Sequence, residues 1–399
     1  VEGELQTRAG QDERALCYFV LGEGHRALGN HRQALDQLEA AWAAGERGPS
    51  IETALGAALG AAYEHELEQV EQTVQSSARD GRIRAIEVRY RDPALAHLRA
   101  ALATSSGSSG SSAYLEAVIA FHEHRFADAI ASAHTAFAAA PTLYEAGVLE
   151  ANATNEAGRQ LQAAGQTGDA TTKFAAARRT FERVLEIARS DDEVWLGYAE
   201  MLLAQALSVA TGSDLPIDLQ QRAIAALHNV QQINPDNAEA CLQEAHIYLA
   251  QGNVEVIWHR DPRPYLEKGL ALADTARTRG AAPDDVDSYA CVAHWERAVY
   301  LGSHGIEPRA AFTSALEACI RAADAHPDAD RHGTLGIVYF ALAAYEGEHG
   351  TDPMPSFRLG EQHLRAAIEL NDDAGLHFGL ARLWTKVAQY QAVHGEDPE

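Results

Sequence analysis

The chain has 399 residues, with 32 Lys and Arg against 57 Asp and Glu, and a formal net charge of -25. This negative surplus excludes a sequence-independent nucleic-acid binder, because contacts with phosphates need a surplus of cations. Hydrophobic residues make up 46% of the chain, which is too many for a disordered protein. No apolar run approaches the roughly 18 residues that span a bilayer. We therefore expect a folded protein with no nucleic-acid partner and no membrane insertion in this chain.

The sequence predicts helix throughout, because it is rich in Ala and poor in β-branched residues. In chain order we expect eight helical units at 15–46, 51–102, 113–141, 142–190, 191–235, 238–282, 283–327 and 328–372, followed by a capping helix at 373–393. They form one continuous solenoid over 1–398, with a flexible loop or subdomain break at 103–113, where residues 105–112 read SSGSSGSS. The predicted fold class is all-α, an α-α superhelix of helical hairpins.

The C-terminal units 238–282, 283–327 and 328–372 repeat with a period of 45 residues, marked by His259, His304, His349 and His394. The last three histidines each open a string of His, Gly, two further residues and Pro. Gly suits the left-handed position after a helix end, and an acidic residue before Pro suits the start of the next helix. The strings therefore predict junctions between helices and not a row of metal sites.

Several units alternate small and large residues at fixed spacings, as in Leu21-Gly22 with His25, Ala34, Leu38 and Ala41, in Leu59-Gly60 with Tyr63, and in Leu335-Gly336 with Tyr339. At these positions the units resemble the tetratricopeptide repeat (TPR). The resemblance implies a protein-interaction scaffold without catalytic activity.

A narrower resemblance is carried by residues 15–25, 35–42, 63–67 and 90–95 and by the recurring Gly-x-Asp-Pro junctions. In these segments the chain resembles the C-terminal TPR region of large bacterial serine/threonine protein kinases of the myxobacterial type. It implies a catalytic domain before Val1 and a role for this chain in recruiting substrates or regulating the kinase. The alternatives are a stand-alone TPR adaptor and an enzyme with a cryptic site between helices.

Two surfaces are candidate partner sites. TPR arrays line a concave groove with the first helix of each unit, and the resemblance places an apolar row there: Ile247, Val292, Trp295, Ile337 and Phe340. Together with the charge, this favours a protein or peptide partner of apolar or basic character. The second candidate is a basic docking patch for an acidic or phosphorylated segment, formed by Arg79, Arg82, Arg84, Arg89 and Arg91. The competing interpretation is that these arginines pair with nearby carboxylates of the same chain.

No motif in the sequence predicts a catalytic residue, a cofactor or a metal. His259-Arg260-Asp261 resembles the start of a kinase catalytic loop, but Leu266 stands where the loop requires Asn. His122 and His124 are two residues apart, so on a helix they point away from each other. Four cysteines, Cys17, Cys241, Cys291 and Cys319, lie in helical patterns without a Cys-x-x-Cys pair. We expect them to be free and buried, in a cytoplasmic protein.

Overall fold

The computed structural model describes residues 11–27, 30–73, 76–104, 109–209 and 216–394. These residues form two compact units, described separately below. The N-terminal unit extends to Arg189 without residues 73–75, and the C-terminal unit begins at Ser190. The division falls at Arg189. The flexible loop or subdomain break at 103–113 stays a prediction, and residues 105–108 of it lie outside the described residues. The single continuous solenoid stays a prediction.

The N-terminal unit contains nine α-helices and one π-helical turn in its described part. They are α1 (Gln11–Ala27), α2 (His31–Ala43), α3 (Pro49–Thr73), α4 (Ser76–Ile86), the π-helical turn (Glu87–Arg91), α5 (Asp92–Thr104), α6 (Ser109–His122), α7 (Phe126–Ala139), α8 (Tyr144–Ala163) and α9 (Thr167–Ile187).

The C-terminal unit contains a further nine α-helices in its described part. They are α10 (Asp192–Val209), α11 (Ile217–Ile233), α12 (Ala238–Ile257), α13 (Arg263–Thr278), α14 (Pro283–Ser303), α15 (Arg309–Ala325), α16 (Ala329–Glu348), α17 (Met354–Leu370) and α18 (Ala374–His394).

Consecutive helices in each unit pack as hairpins, and small residues allow the two helices to approach closely. The helices that pair in this way are α1/α2, α6/α7, α8/α9, α10/α11, α12/α13, α14/α15 and α16/α17. A Cβ atom placed on Gly336 would lie 2.7 Å from the Leu364 side chain of the paired helix, and one on Gly22 would lie 2.7 Å from Leu38. The predicted all-α class, with hairpins stacked as in an α-α superhelix and a final single helix, is confirmed.

Two of the three His-Gly strings end helices as the sequence predicts, and the third continues from His394 into residues 395–398, which lie outside the described residues. Gly305 and Gly350 have left-handed backbone conformations, with φ of 68° and 73°. The Nδ1 atom of His304 donates to the Tyr300 carbonyl at 2.9 Å, which satisfies a carbonyl at the helix end. His259 differs, because it takes the left-handed position itself, with φ of 55°. It therefore corresponds to Gly305 and not to His304, and the first of these repeats is one residue longer than 45.

The cysteine prediction is wrong for one pair. Cys291 of α14 and Cys319 of α15 form a disulfide, with Cα atoms 4.9 Å apart. Cys17 and Cys241 are free. The pairing escapes a search for short motifs because it joins facing positions of one hairpin that are 28 residues apart in the chain.

Candidate protein-binding surface

The first helix of each hairpin in the C-terminal unit contributes to one continuous face. Among the described residues, α12 contacts α14, α14 contacts α16 and α16 contacts α18, whereas no comparable contact joins the second helices α13, α15 and α17. The first helices are therefore closer together, and their side is the inner side of the curved stack. We call this surface the first-helix face.

Contacts within the hairpins determine which residues share a row on this face. Ala245, Cys291 and Gly336 are equivalent positions on α12, α14 and α16, because each faces the second helix of its own hairpin. Cys291 is bonded to Cys319, Gly336 adjoins Leu364, and the Ala245 carbonyl adjoins the backbone of Gly269. Ala245 and Cys291 are 46 residues apart, and Cys291 and Gly336 are 45 apart.

The predicted row is therefore corrected at one position. The residues that follow these three in the chain are His246, Val292 and Ile337, and they form the row. Ile247 is only 2% exposed and lies in the core, whereas His246 is exposed. One residue rotates a helix by about 100°, which turns a side chain from the surface into the core. The constant 45-residue period concealed this shift.

The other predicted groove residues lie on the first-helix face with unequal exposure. Ile337 is 37% exposed, and Val292 is half-buried. Trp295 packs against the core between α14 and α15. Phe340 packs against the core between α16 and α17, and the guanidinium of Arg382 from α18 lies 5.7 Å from its ring. The row thus supplies one exposed aliphatic side chain beside half-buried apolar ones.

Carboxylates gather near the start of the first helices. Glu239, Asp285 and Asp330 are 46 and 45 residues apart, so they share one position on α12, α14 and α16, and each is exposed. The Arg331 guanidinium pairs with Asp285 at 3.1 Å. The pKa of Asp330 is raised, first by desolvation and then by the negative charge of Asp328. The face therefore combines an apolar row with a row of acidic side chains at one end.

Two of the five arginines in the predicted basic patch pair with carboxylates. Arg84 pairs with Glu87 at 3.0 Å, and Arg91 pairs with Glu87 and, at 3.1 Å, with Asp92. These residues lie on the π-helical turn or beside it. The competing interpretation, pairing with nearby carboxylates, therefore accounts for Arg84 and Arg91.

The three remaining arginines of the patch differ in their surroundings. Arg82 and Arg89 are exposed and make no ion pair with a described residue, although the Arg89 guanidinium lies 4.9 Å from the Tyr90 ring. Arg79 is half-buried on α4. An anionic partner would therefore find two open guanidinium groups here, and the docking role of the patch stays a prediction.

The His122–His124 segment has a structural role. His122 is buried, and this burial, together with the charge of His124, lowers its pKa to about 4. His124 follows α6 in the left-handed conformation, with φ of 57°, and Glu123 pairs with Arg99 and Arg125. Within the described ranges no group of three or more His, Cys, Asp or Glu residues could surround a metal ion.

Sequence reasoning missed the buried carboxylates on the first helices. Asp287 of α14 is 4% exposed and accepts hydrogen bonds from Arg277 of α13 at 2.7 Å and from Arg321 of α15 at 2.9 Å. Glu296 of α14 is 3% exposed and accepts from Asn253 of α12 at 2.6 Å. The signal available was an acidic residue at an apolar position of a helical pattern, as at Asp287 between Val286 and Tyr289.

Comparison with known proteins adds little at the level of sequence. No protein-family model matches the chain, and no curated protein sequence matches it. In the part of the chain that the structure describes, no helix is both long and apolar enough to cross a membrane.

Several solved structures are similar to the chain at low identity. The C-terminal part of a TPR repeat-containing protein from Cytophaga hutchinsonii is 13% identical, with 77% of this chain and 95% of that chain covered and a TM-score of 0.38. The MamA protein is 13% identical, with 55% and 96% covered and a TM-score of 0.36. The human IFIT1 dimer with m7Gppp-AAAA is 17% identical, with 84% and 71% covered and a TM-score of 0.40. At these scores the likenesses carry no argument about family or function, and the fold class rests on the helices described above.

Proposed function

We propose that this chain is a non-catalytic scaffold that binds a protein or peptide segment on the first-helix face of its C-terminal unit. The observation that supports this proposal is the alignment of Val292 and Ile337 in one row on successive first helices, with Asp285 and Asp330 in a parallel row. Repeated hairpins present such rows as an extended inner surface, which is how solenoid proteins bind their partners.

The partner that suits this face carries apolar residues next to Lys or Arg. Ile337 offers exposed aliphatic surface, and the half-buried rings of Trp295 and Phe340 form the adjoining floor. Glu239 and Asp330, which make no ion pair within the described residues, would attract a cation at one end, because opposite charges across an interface favour encounter and fix the orientation of the partner. A helical or extended segment laid along the face would meet both features at once.

The test uses peptides selected from a random 12-residue display library against the purified chain, with affinities then measured by isothermal titration calorimetry. We expect enrichment of sequences with aliphatic or aromatic residues beside Lys or Arg. Ile337→Asp should weaken the binding of the selected peptides, because it places a charge in the apolar row. Ile320→Asp on α15 is the matched control, since Ile320 is 38% exposed and Ile337 is 37% exposed. Equal effects of the two substitutions, or no enrichment, would contradict the proposal.

The acidic row is tested in the same assay. The double variant Glu239→Lys/Asp330→Lys should abolish the selection of basic peptides, whereas Glu369→Lys on the exposed side of α17 should leave it intact. Enrichment of the same basic peptides by the double variant would show that charge on this face does not select the partner.

We further propose that the chain is the substrate-recruiting or regulatory TPR region of a bacterial serine/threonine protein kinase in the cytoplasm. The support is the resemblance of residues 15–25, 35–42, 63–67 and 90–95 to such regions. The sequence of the encoding gene upstream of Val1 tests this: a Gly-rich loop and a catalytic loop with Asp and Asn are expected there. Their absence would leave a stand-alone adaptor. The cytoplasmic location has a separate test in the Cys291–Cys319 disulfide, because disulfides are rare in reducing compartments. Thiol alkylation in intact cells should find both cysteines reduced if the chain is cytoplasmic, and an intact bond would contradict that location.

A further inference from the structure

Two histidines face each other across the last complete hairpin. His332 lies on the first turn of α16 and His363 lies in the middle of α17. Their Nδ1 atoms are 3.1 Å apart, and their rings are stacked at 5.4 Å between centroids. The ring of Tyr339 lies parallel to that of His363 at 5.8 Å. Each imidazole is therefore held by its neighbours in one orientation.

The two Nδ1 atoms are within hydrogen-bond distance, and two neutral imidazoles at this separation can interact in two ways. One ring can carry its proton on Nδ1 and donate to the other, or both nitrogens can offer lone pairs to one cation. Tetrahedral zinc binds histidine nitrogen at about 2.0–2.1 Å, which places two such nitrogens roughly 3.3 Å apart. The observed separation is close to this value, so a metal ion needs only a small adjustment of the rings.

The pair has one carboxylate near it, and metal ions bind imidazole in its neutral form. Asp324 lies in the last turn of the preceding helix α15 and supplies negative charge close to His363.

We propose that His332 and His363 form a site for a divalent transition metal ion such as Zn²⁺ or Ni²⁺, with water completing its coordination. Imidazole ligands select this class of ion over Mg²⁺ and Ca²⁺, which prefer oxygen ligands. Bound metal would join α16 to α17 and stabilise the hairpin that presents Ile337 and Phe340. The site is separate from the proposed peptide-binding role and does not depend on it.

The experiment titrates ZnSO4, and separately MgSO4, into the metal-free chain by isothermal titration calorimetry. Phe replaces each histidine in the double variant His332→Phe/His363→Phe, since a phenyl ring keeps the stacking with Tyr339 but has no nitrogen. The control variant His349→Ala/His377→Ala also removes two imidazoles. Both are exposed, His349 at the end of α16 and His377 on α18.

We expect the wild-type chain and the control to bind one more equivalent of Zn²⁺ than the Phe variant, and none of the three to bind Mg²⁺ with comparable affinity. Loss of outer-shell partners alone costs about 10–100-fold in metal affinity, so the loss of one ligand in His363→Phe should cost at least about tenfold. Added Zn²⁺ should also raise the melting temperature of the wild type but not of the Phe variant. Equal stoichiometry and affinity in the wild type and the Phe variant, with both folded by circular dichroism, would overturn the proposal.

Discussion

Glu296 gives the sharpest test of the energetics of the C-terminal unit. Its carboxyl group is 3% exposed, and only one of its oxygens, Oε1, has a hydrogen-bond donor, the Asn253 amide at 2.6 Å. The Oε2 atom has no partner among the described residues. Burial raises the pKa of Glu296 from 4.5 to about 7, although the bond from Asn253 opposes the shift.

The direction in which stability changes with pH depends on whether the folded or the unfolded chain holds the proton of Glu296. Between pH 4.5 and 7 the folded chain keeps the proton on Glu296 and the unfolded chain releases it, so stability falls as the pH rises. One pKa unit corresponds to about 1.36 kcal/mol, so the change from pH 5 to pH 8 amounts to about 2.5 kcal/mol. Glu296→Gln removes this titration. It also leaves an unpaired amide in the core, which lowers stability by about 1–2 kcal/mol at every pH.

The assay is urea unfolding of the full chain at pH 5 and pH 8, followed by circular dichroism. Wild type should lose about 2.5 kcal/mol more than Glu296→Gln between the two pH values, so that the variant is the more stable protein at pH 8 and the less stable one at pH 5. Glu369→Gln, at an exposed position of α17, should follow the wild type. Parallel pH profiles for wild type and Glu296→Gln would refute the reasoning, because they would mean that the carboxyl group is ionised in the folded chain.

Three further perturbations test other contacts of the C-terminal unit. Reduction of Cys291–Cys319 should lower the free energy of unfolding by roughly 3–4 kcal/mol, as expected for a loop of 28 residues. A thiol titration of the unreduced, denatured chain should find two free thiols, and four would mean that the bond does not form. Asp287→Ala should destabilise by about 2 kcal/mol in urea unfolding. Although burial raises the pKa of Asp287, its bonds with Arg321 and Arg277 lower it overall. The contribution of Asp287 to the free energy of unfolding is therefore complete above about pH 4 and lost at lower pH. A cost of Asp287→Ala that does not change with pH would contradict this. Gly336→Val should lower the free energy of unfolding by about 1–3 kcal/mol, because its Cβ would meet Leu364 at 2.7 Å and the Gly360 carbonyl at 3.0 Å. Gly347→Ala, whose Cβ would have no atom nearer than 3.5 Å, should be neutral or stabilising. Equal losses of stability in the two variants would show that the close approach at Gly336 is not required.

The sequence predicts the helices and their junctions well because the signals are local. Gly305 and Gly350 take the left-handed conformation that their place after a helix end requires, and Pro283 begins α14 in its first turn. Each of these residues acts through its own backbone, so the pattern of the chain determines the outcome without knowledge of tertiary contacts.

The errors arise where one residue decides between surface and core, or where two distant residues meet. His246 and Ile247 differ by one position, and only the contacts of Ala245 with α13 show which of them faces outward. The Cys291–Cys319 bond and the His332–His363 contact each join the two helices of a hairpin. Their formation depends on the register between helices, which helical periodicity alone does not determine.

The exposure of the first-helix face indicates which of its two rows would discriminate between partners. Trp295 and Phe340 are already packed against the core, so a partner would gain little apolar burial from them. Ile337, 37% exposed, has only part of its surface left to bury. The carboxylates of Glu239 and Asp330 are exposed and make no ion pair within the described residues. The apolar row would therefore supply a common floor, while the acidic row would distinguish one segment from another, and this selection should weaken as salt screens the exposed charges.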